Sequence, residues 1–65
     1  MAKNIKLEKR RLQMNLTQEE VAKLVGVSRP FYSMIENGHK VPSLPTAKKI
    51  AKVLRSGVDA LFYDV

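Results

Sequence analysis

The stretch Thr17-Gln18-Glu19-Glu20-Val21-Ala22-Lys23-Leu24-Val25-Gly26-Val27-Ser28-Arg29-Pro30-Phe31-Tyr32-Ser33-Met34-Ile35-Glu36-Asn37 decides how this chain is read. Thr17 with Glu20 three residues on is a capping-box pattern, in which two orphan backbone donors at a helix start are satisfied reciprocally. Val21, Leu24 and Val25 supply the apolar stripe that follows, and Gly26 ends the helix as a residue able to take a left-handed conformation. Ser28 is the next N-cap, and Pro30 falls in the first turn, where its missing N–H is not needed. That helix continues through Phe31, Tyr32, Met34 and Ile35 and closes at Asn37-Gly38.

Two short helices joined by Gly26-Val27-Ser28 have the shape of a helix-turn-helix. Helices that cross steeply need a small residue at the contact, and Ala22 supplies it. The bend needs a residue without Cβ, and Gly26 supplies that. Val21, Val25, Val27, Tyr32 and Ile35 turn apolar surface toward the rest of the core.

Upstream, Lys3 to Met14 is rich in good helix formers. At ~100° per residue, Leu7, Arg11 and Met14 share one face while Ile5 and Leu12 share the opposite one. The inward face thus carries an arginine, which demands a buried partner. Downstream, His39 to Ser43 form a loop containing Pro42, and a fourth helix starts near Ser43 to Thr46 with Pro45 in its first turn. Ala47, Ile50, Ala51 and Leu54 recur at helical spacing, with Lys48, Lys49, Lys52 and Arg55 largely outside the stripe. Ser56-Gly57 breaks this helix, and Val58 to Phe62 read as a short last one with Asp59 favourably near its N-terminus. The fold class is all-α: a compact five-helix domain over residues 1–65, with the helix-turn-helix at its second and third helices.

With 65 residues the chain holds one small core and has little room for a deep substrate pocket or a ligand-sensing domain. Cysteine is absent, so no disulfide or thiolate metal site staples the fold, which suits a reducing cytoplasm. Twelve Lys+Arg against six Asp+Glu leave a net charge of +6, which favours an anionic partner. Neither a signal peptide nor a membrane-spanning apolar run is legible. Enzyme chemistry finds no footing: His39 is the one histidine and has no companion ligand, Gly38-His39-Lys40 lacks a phosphate-cradling glycine loop, and the carboxylates are scattered. No cofactor and no metal are expected.

The chain resembles the Cro and phage-repressor type of helix-turn-helix proteins, also called the xenobiotic-response-element family, from about Leu7 to Phe62. The resemblance is carried by Leu16-Thr17-Gln18-Glu19-Glu20-Val21-Ala22, Val25-Gly26-Val27-Ser28-Arg29, Ile35-Glu36-Asn37-Gly38, Pro42-Ser43-Leu44 and Val58-Asp59-Ala60-Leu61-Phe62. It implies a lambda-repressor-like fold and a set of roles. Gln18 would contact a phosphate and orient the reading helix. Ser28, Arg29, Pro30, Ser33 and Met34 would face the major groove, and Asn37, Gly38 and Lys40 would touch backbone phosphates. Arg11 and Glu36 stand where some members pair an arginine of the first helix with the glutamate that ends the recognition helix. The sequence departs from the pattern at Tyr32, usually aliphatic, whose hydroxyl needs a partner or an exit to water. It departs also at Phe31, which either meets a thymine methyl or packs under the next loop, and at Arg55-Ser56-Gly57, where Gly and an apolar residue are more usual.

The function implied is a transcriptional regulator acting on double-stranded DNA: a repressor that occludes a promoter as a homodimer on a near-palindromic operator, with Leu61, Phe62, Tyr63 and Val65 as candidate pairing residues. A protein partner that relieves repression is compatible with so small a chain. Two other readings use the same fold, an antitoxin or protein-interaction module and an activator such as a restriction-system controller. Plainer roles exist for single residues. Arg29 is otherwise a solvated arginine, Gln18 an ordinary first-turn residue, and the lysines of the fourth helix a solvated face.

Overall fold

The computed structural model describes residues 2–63. Five helices follow one another: α1 (Ile5–Gln13), α2 (Gln18–Val25), α3 (Arg29–Glu36), α4 (Leu44–Val53) and α5 (Val58–Phe62). No strand occurs among the described residues.

Local chemistry sets most of the boundaries. Thr17 Oγ1 accepts from Glu20 N at 3.1 Å while Glu20 Oε1 accepts from Thr17 N at 2.8 Å, so the capping box closes in both directions. Ser28 and Ser43 open α3 and α4 by accepting from the backbone N–H three residues on, each with a proline in the first turn. Gly26 ends α2 at φ +91° with open space where a Cβ would stand, so its glycine is required by backbone conformation and not by crowding.

Gly38, at φ +81°, is constrained twice, because a Cβ there would strike the Ala2 carbonyl. Asn4 caps α1 by accepting from Leu7 N, which sets the helix start at Ile5. At the other end of α1, Asn15 takes φ +58°, a conformation its short polar side chain tolerates. The helix α4 ends at Val53, short of the Ser56-Gly57 pair expected to break it. Arg55 takes the left-handed conformation at φ +52°, and the Ser56 N–H closes on the Ala51 carbonyl at 2.9 Å.

The core joins Leu7, Val21, Ala22, Val25, Tyr32, Ile35, Ile50, Ala51, Leu54 and Leu61. Leu24 is not part of it. At 64% exposure it corrects the stripe expected for this helix. Packed against both α3 and α4, α2 buries Val21, Ala22 and Val25 and turns Leu24 outward.

Arg10 ties the two ends of this core together. Its Nε donates to the Leu54 carbonyl at 2.7 Å and its Nη2 to the Arg55 carbonyl at 3.0 Å. A cation thus satisfies the orphan acceptors at the C-terminus of α4, where the helix dipole also favours positive charge. Charge-assisted bonds of this kind contribute about 1.5–3 kcal/mol. Arg10→Ala should lower stability by roughly that amount in urea unfolding, and an unchanged midpoint would rule the cap out as a source of stability.

Candidate nucleic-acid interface

The face that α3 turns outward is fixed by what it buries. Tyr32, Ile35 and Glu36 point inward. At ~100° per residue, Arg29, Ser33, Asn37, Pro30 and Met34 then share an arc of roughly 140° on the other side. In the structure Ser28, Arg29, Pro30, Met34, Asn37 and Lys40 are exposed and Ser33 is half-buried. No hydrogen bond or ion pair holds the Arg29 side chain among the described residues, so its guanidinium donors remain available. Several other polar groups are committed locally. Ser28 Oγ accepts from Phe31 N at 3.2 Å, and Asn37 Nδ2 donates to Ser33 Oγ at 3.3 Å. Phe31 is half-buried and packs against the core, which favours the packing alternative left open for it.

Behind this face lies a buried ionic cluster. Arg11 Nε donates to Glu36 Oε2 at 2.9 Å and Arg11 Nη2 to Glu36 Oε1 at 3.0 Å, a two-pronged fork. Glu36 is fully buried and Arg11 nearly so. The third arginine nitrogen, Nη1, donates to the Leu16 carbonyl at 2.9 Å, which fixes the turn between α1 and α2. Gln18 Nε2 donates to Glu36 Oε1 at 3.2 Å. Gln18 is therefore held by α3 at the same time as it stands at the first position of α2. Burial works to raise the Glu36 carboxyl, but the hydrogen bonds from Arg11 and Gln18 outweigh it and hold the group below its ordinary value. The Tyr32 hydroxyl lies near this carboxylate, and burial and then Glu36 push its pKa up. It is buried without a hydrogen-bond partner among the described residues.

The cluster brings together what the sequence separates. Gln18 and Arg29 line one open groove of about 540 Å³ with Arg11, Asn15, Leu16 and Thr17. Lys40 stands apart, beyond the turn that Gly38 makes, where the His39 and Lys40 N–H groups both close on the Met34 carbonyl. The bond from Gln18 to Glu36 has no signature in the sequence, since it spans two helices. Asn4 is a further tie that sequence reasoning misses. Its N–H donates to the Glu36 carbonyl at 2.8 Å and its Nδ2 to the Leu61 carbonyl at 2.9 Å, locking the end of α3 to α5. An asparagine just before a helical run, with Leu7 three residues on, is a cap signal, but only the cap is local.

An exposed face on α3, braced from behind by α1 and α2 across a glycine turn, has the arrangement of a helix-turn-helix domain. Residues 7–61 match the family described as Helix-turn-helix (HTH_3). The chain belongs to that family and is an all-helical transcriptional regulator of the helix-turn-helix type. It is 46% identical over 59 residues to the uncharacterized HTH-type transcriptional regulator YqaF of Bacillus subtilis, covering 91% of this chain and 78% of that protein. Among solved structures it is similar to the restriction-modification controller protein C.AhdI from Aeromonas hydrophila. That likeness has a TM-score of 0.84 and 30% identity, over 91% of this chain and 89% of the other. It is also similar to the N-terminal DNA binding domain of SinR from Bacillus subtilis, with a TM-score of 0.81 and 25% identity, over 89% and 86% of the two chains. Among the described residues no group of three or more His, Cys, Asp or Glu is placed to hold a metal ion, and no helix is long and apolar enough to cross a membrane.

Proposed function

We propose that the 65 residues act as one unit in the cytoplasm, a repressor that binds a near-palindromic operator as a homodimer and occludes a promoter. The observation that carries this reading is the exposed arc of α3 with Arg29 unengaged at its start. The first turn of a recognition helix reaches deepest into the major groove, and a guanidinium there bonds both acceptors of a guanine edge. Ser28, Pro30, Ser33 and Met34 shape the same approach. Gln18, Asn37, Gly38 and Lys40 fix its register on the phosphates. One short helix touches too few bases to find a genomic site, so two copies would read half-sites roughly 34–36 Å apart. Of the pairing residues named from the sequence, Leu61 is buried in the core, Phe62 is half-buried and Tyr63 is exposed, while Val65 lies outside the described residues.

Selection of bound sequences from random DNA tests the reading, since it reports half-site sequence and spacing together. A strictly monomeric protein on a single asymmetric half-site would overturn the dimer. The likeness to a restriction-modification controller favours a second reading, in which the same dimer activates. The position of the selected operator relative to its promoter decides between them.

Arg29 and Lys40 should separate specificity from affinity. Arg29→Ala should weaken specific binding by about 1–3 kcal/mol and relax the preference at one base pair per half-site. Lys40 offers a point charge to phosphate and reads no base. Lys40→Ala should weaken all operators alike and reduce the salt slope by roughly one unit for each phosphate it no longer neutralises. A panel of single-base operator variants at two salt concentrations reads both effects. Equal scaling of every variant by Arg29→Ala would make Arg29 a phosphate contact.

A further inference from the structure

On the side of the molecule where the N-terminal segment meets α5 lies a groove of about 610 Å³. Its apolar lining includes Ile35, Phe62, Ile5 and Val41, and the last two are 56% and 80% exposed. Lys3, Lys6, Lys9 and Lys40 also line it, and no acidic residue does among the described residues. Lys3 reaches out of the lining to pair with Glu8 at 2.9 Å. Lys9 and Lys40 engage no acidic group among the described residues.

Apolar side chains this exposed on so basic a chain are not explained by contact with phosphates, which offer them nothing to bury against. We infer that this groove docks an acidic amphipathic segment of a partner protein. The apolar side of that segment would seat between Ile5 and Val41, and its carboxylates would meet Lys9 and Lys40 beside them. Helix-in-groove recognition uses this combination of apolar anchors and complementary charge. A second copy of this chain competes for the same face, because the candidate pairing residues Leu61, Phe62 and Tyr63 also line the groove. It fits less well, because each copy carries a charge of +6 and two-fold pairing would set one lysine rim against the other. A lipid surface fits less well too, because the site is concave and a bilayer is entered by protruding apolar groups.

Docking does not depend on the DNA reading. Its regulatory consequence does, because Lys40 is proposed to contact the phosphates, and a docked acidic segment would withdraw it from DNA.

The test titrates the isotope-labelled full chain with a synthetic helix of about 14 residues, long enough to be marginally helical, carrying Leu at i, i+4 and i+7 and Glu at most other positions. A second peptide replaces every Glu by Lys. The acidic peptide should shift the amide signals of Ile5, Val41 and Phe62, and the Lys peptide should not bind. Val41→Asp and Lys9→Glu should each weaken the acidic peptide by at least about tenfold, the loss expected on removing one anchor. Both residues are exposed, so the melting temperature of each variant should match the parent.

Shifts confined to Arg29 and Ser33, equal binding of both peptides, or wild-type affinity in Val41→Asp would each overturn the proposal. So would conversion of dimers to monomers by Val41→Asp without peptide binding. Binding of phosphatidylglycerol vesicles through Val41 in place of the peptide would also overturn it. Operator binding is measured separately, so a chain that docks the peptide but binds no DNA refutes the repressor reading alone.

Discussion

Arg11→Met should cost about 3–5 kcal/mol of stability, because it leaves the Glu36 carboxylate buried and uncompensated. The fork of two bonds at 2.9 and 3.0 Å leaves Glu36 little other support, since Gln18 donates one longer bond at 3.2 Å. Glu36→Leu alone should be costly for the mirror reason, with Arg11 left buried beside the Leu16 carbonyl. Arg11→Met with Glu36→Leu should recover much of either loss, because a pair of apolar side chains of similar volume removes both desolvation penalties together. Some deficit should persist, since the Gln18 amide and the Leu16 carbonyl lose their partners in the double variant. Strictly additive melts across the cycle would reject a coupled pair.

The same pair makes the fold sensitive to acid in one direction. Folding holds the Glu36 carboxyl below its ordinary value of 4.5, so the unfolded chain binds the proton more readily. The pair's contribution is complete above that ordinary value and is lost as pH falls through the lower folded one. Wild-type protein should therefore lose stability on acidification more steeply than the double variant.

Operator affinity should fall by roughly 10³–10⁵ between about 50 and 200 mM salt if a dimer makes about 6–10 phosphate contacts, because each neutralised phosphate releases condensed counterions. The net charge of +6 per chain makes this range reachable without any one residue dominating. Lys40 and Gln18 are among the proposed phosphate contacts, and neither is committed to an acidic residue in a way that precludes it, although Gln18 spends one amide hydrogen on Glu36. Fluorescence anisotropy with a labelled operator gives the slope directly. A nearly flat response would favour a protein as the main target of this surface.

The elements that are legible in the sequence are those whose determinants are local. Thr17 with Glu20, Ser28 with Pro30 and Ser43 with Pro45 each announce a helix start within four residues, and each start falls there. Gly26 and Gly38 mark ends because their φ values are positive. The end of α4 is less legible, because the left-handed position falls on Arg55, a residue type that does not advertise it. The exposure of Leu24 follows from how α2 is shared between two neighbours, which periodicity over eight residues does not resolve. In the site, the outward arc of α3 follows from spacing. Arg11 on an inward face is visible as a conflict, and the identity of its partner comes from resemblance. The bond from Gln18 to Glu36 and the ties made by Asn4 and Arg10 depend on the assembled tertiary structure.

The clamp that Arg10 places on the end of α4 joins residues 44 apart in the chain. In kinetic terms such a bond forms only after the intervening loop has closed, so it belongs to the late side of the folding barrier. Its strength then acts as a brake on opening more than as an aid to assembly. In a chevron the loss in Arg10→Ala should fall mainly on the unfolding arm, with the refolding arm nearly unchanged. A slowed refolding arm would place the α1–α4 contact in the folding nucleus. A bond that delays opening also lengthens the lifetime of the folded domain against proteases that attack only the open chain.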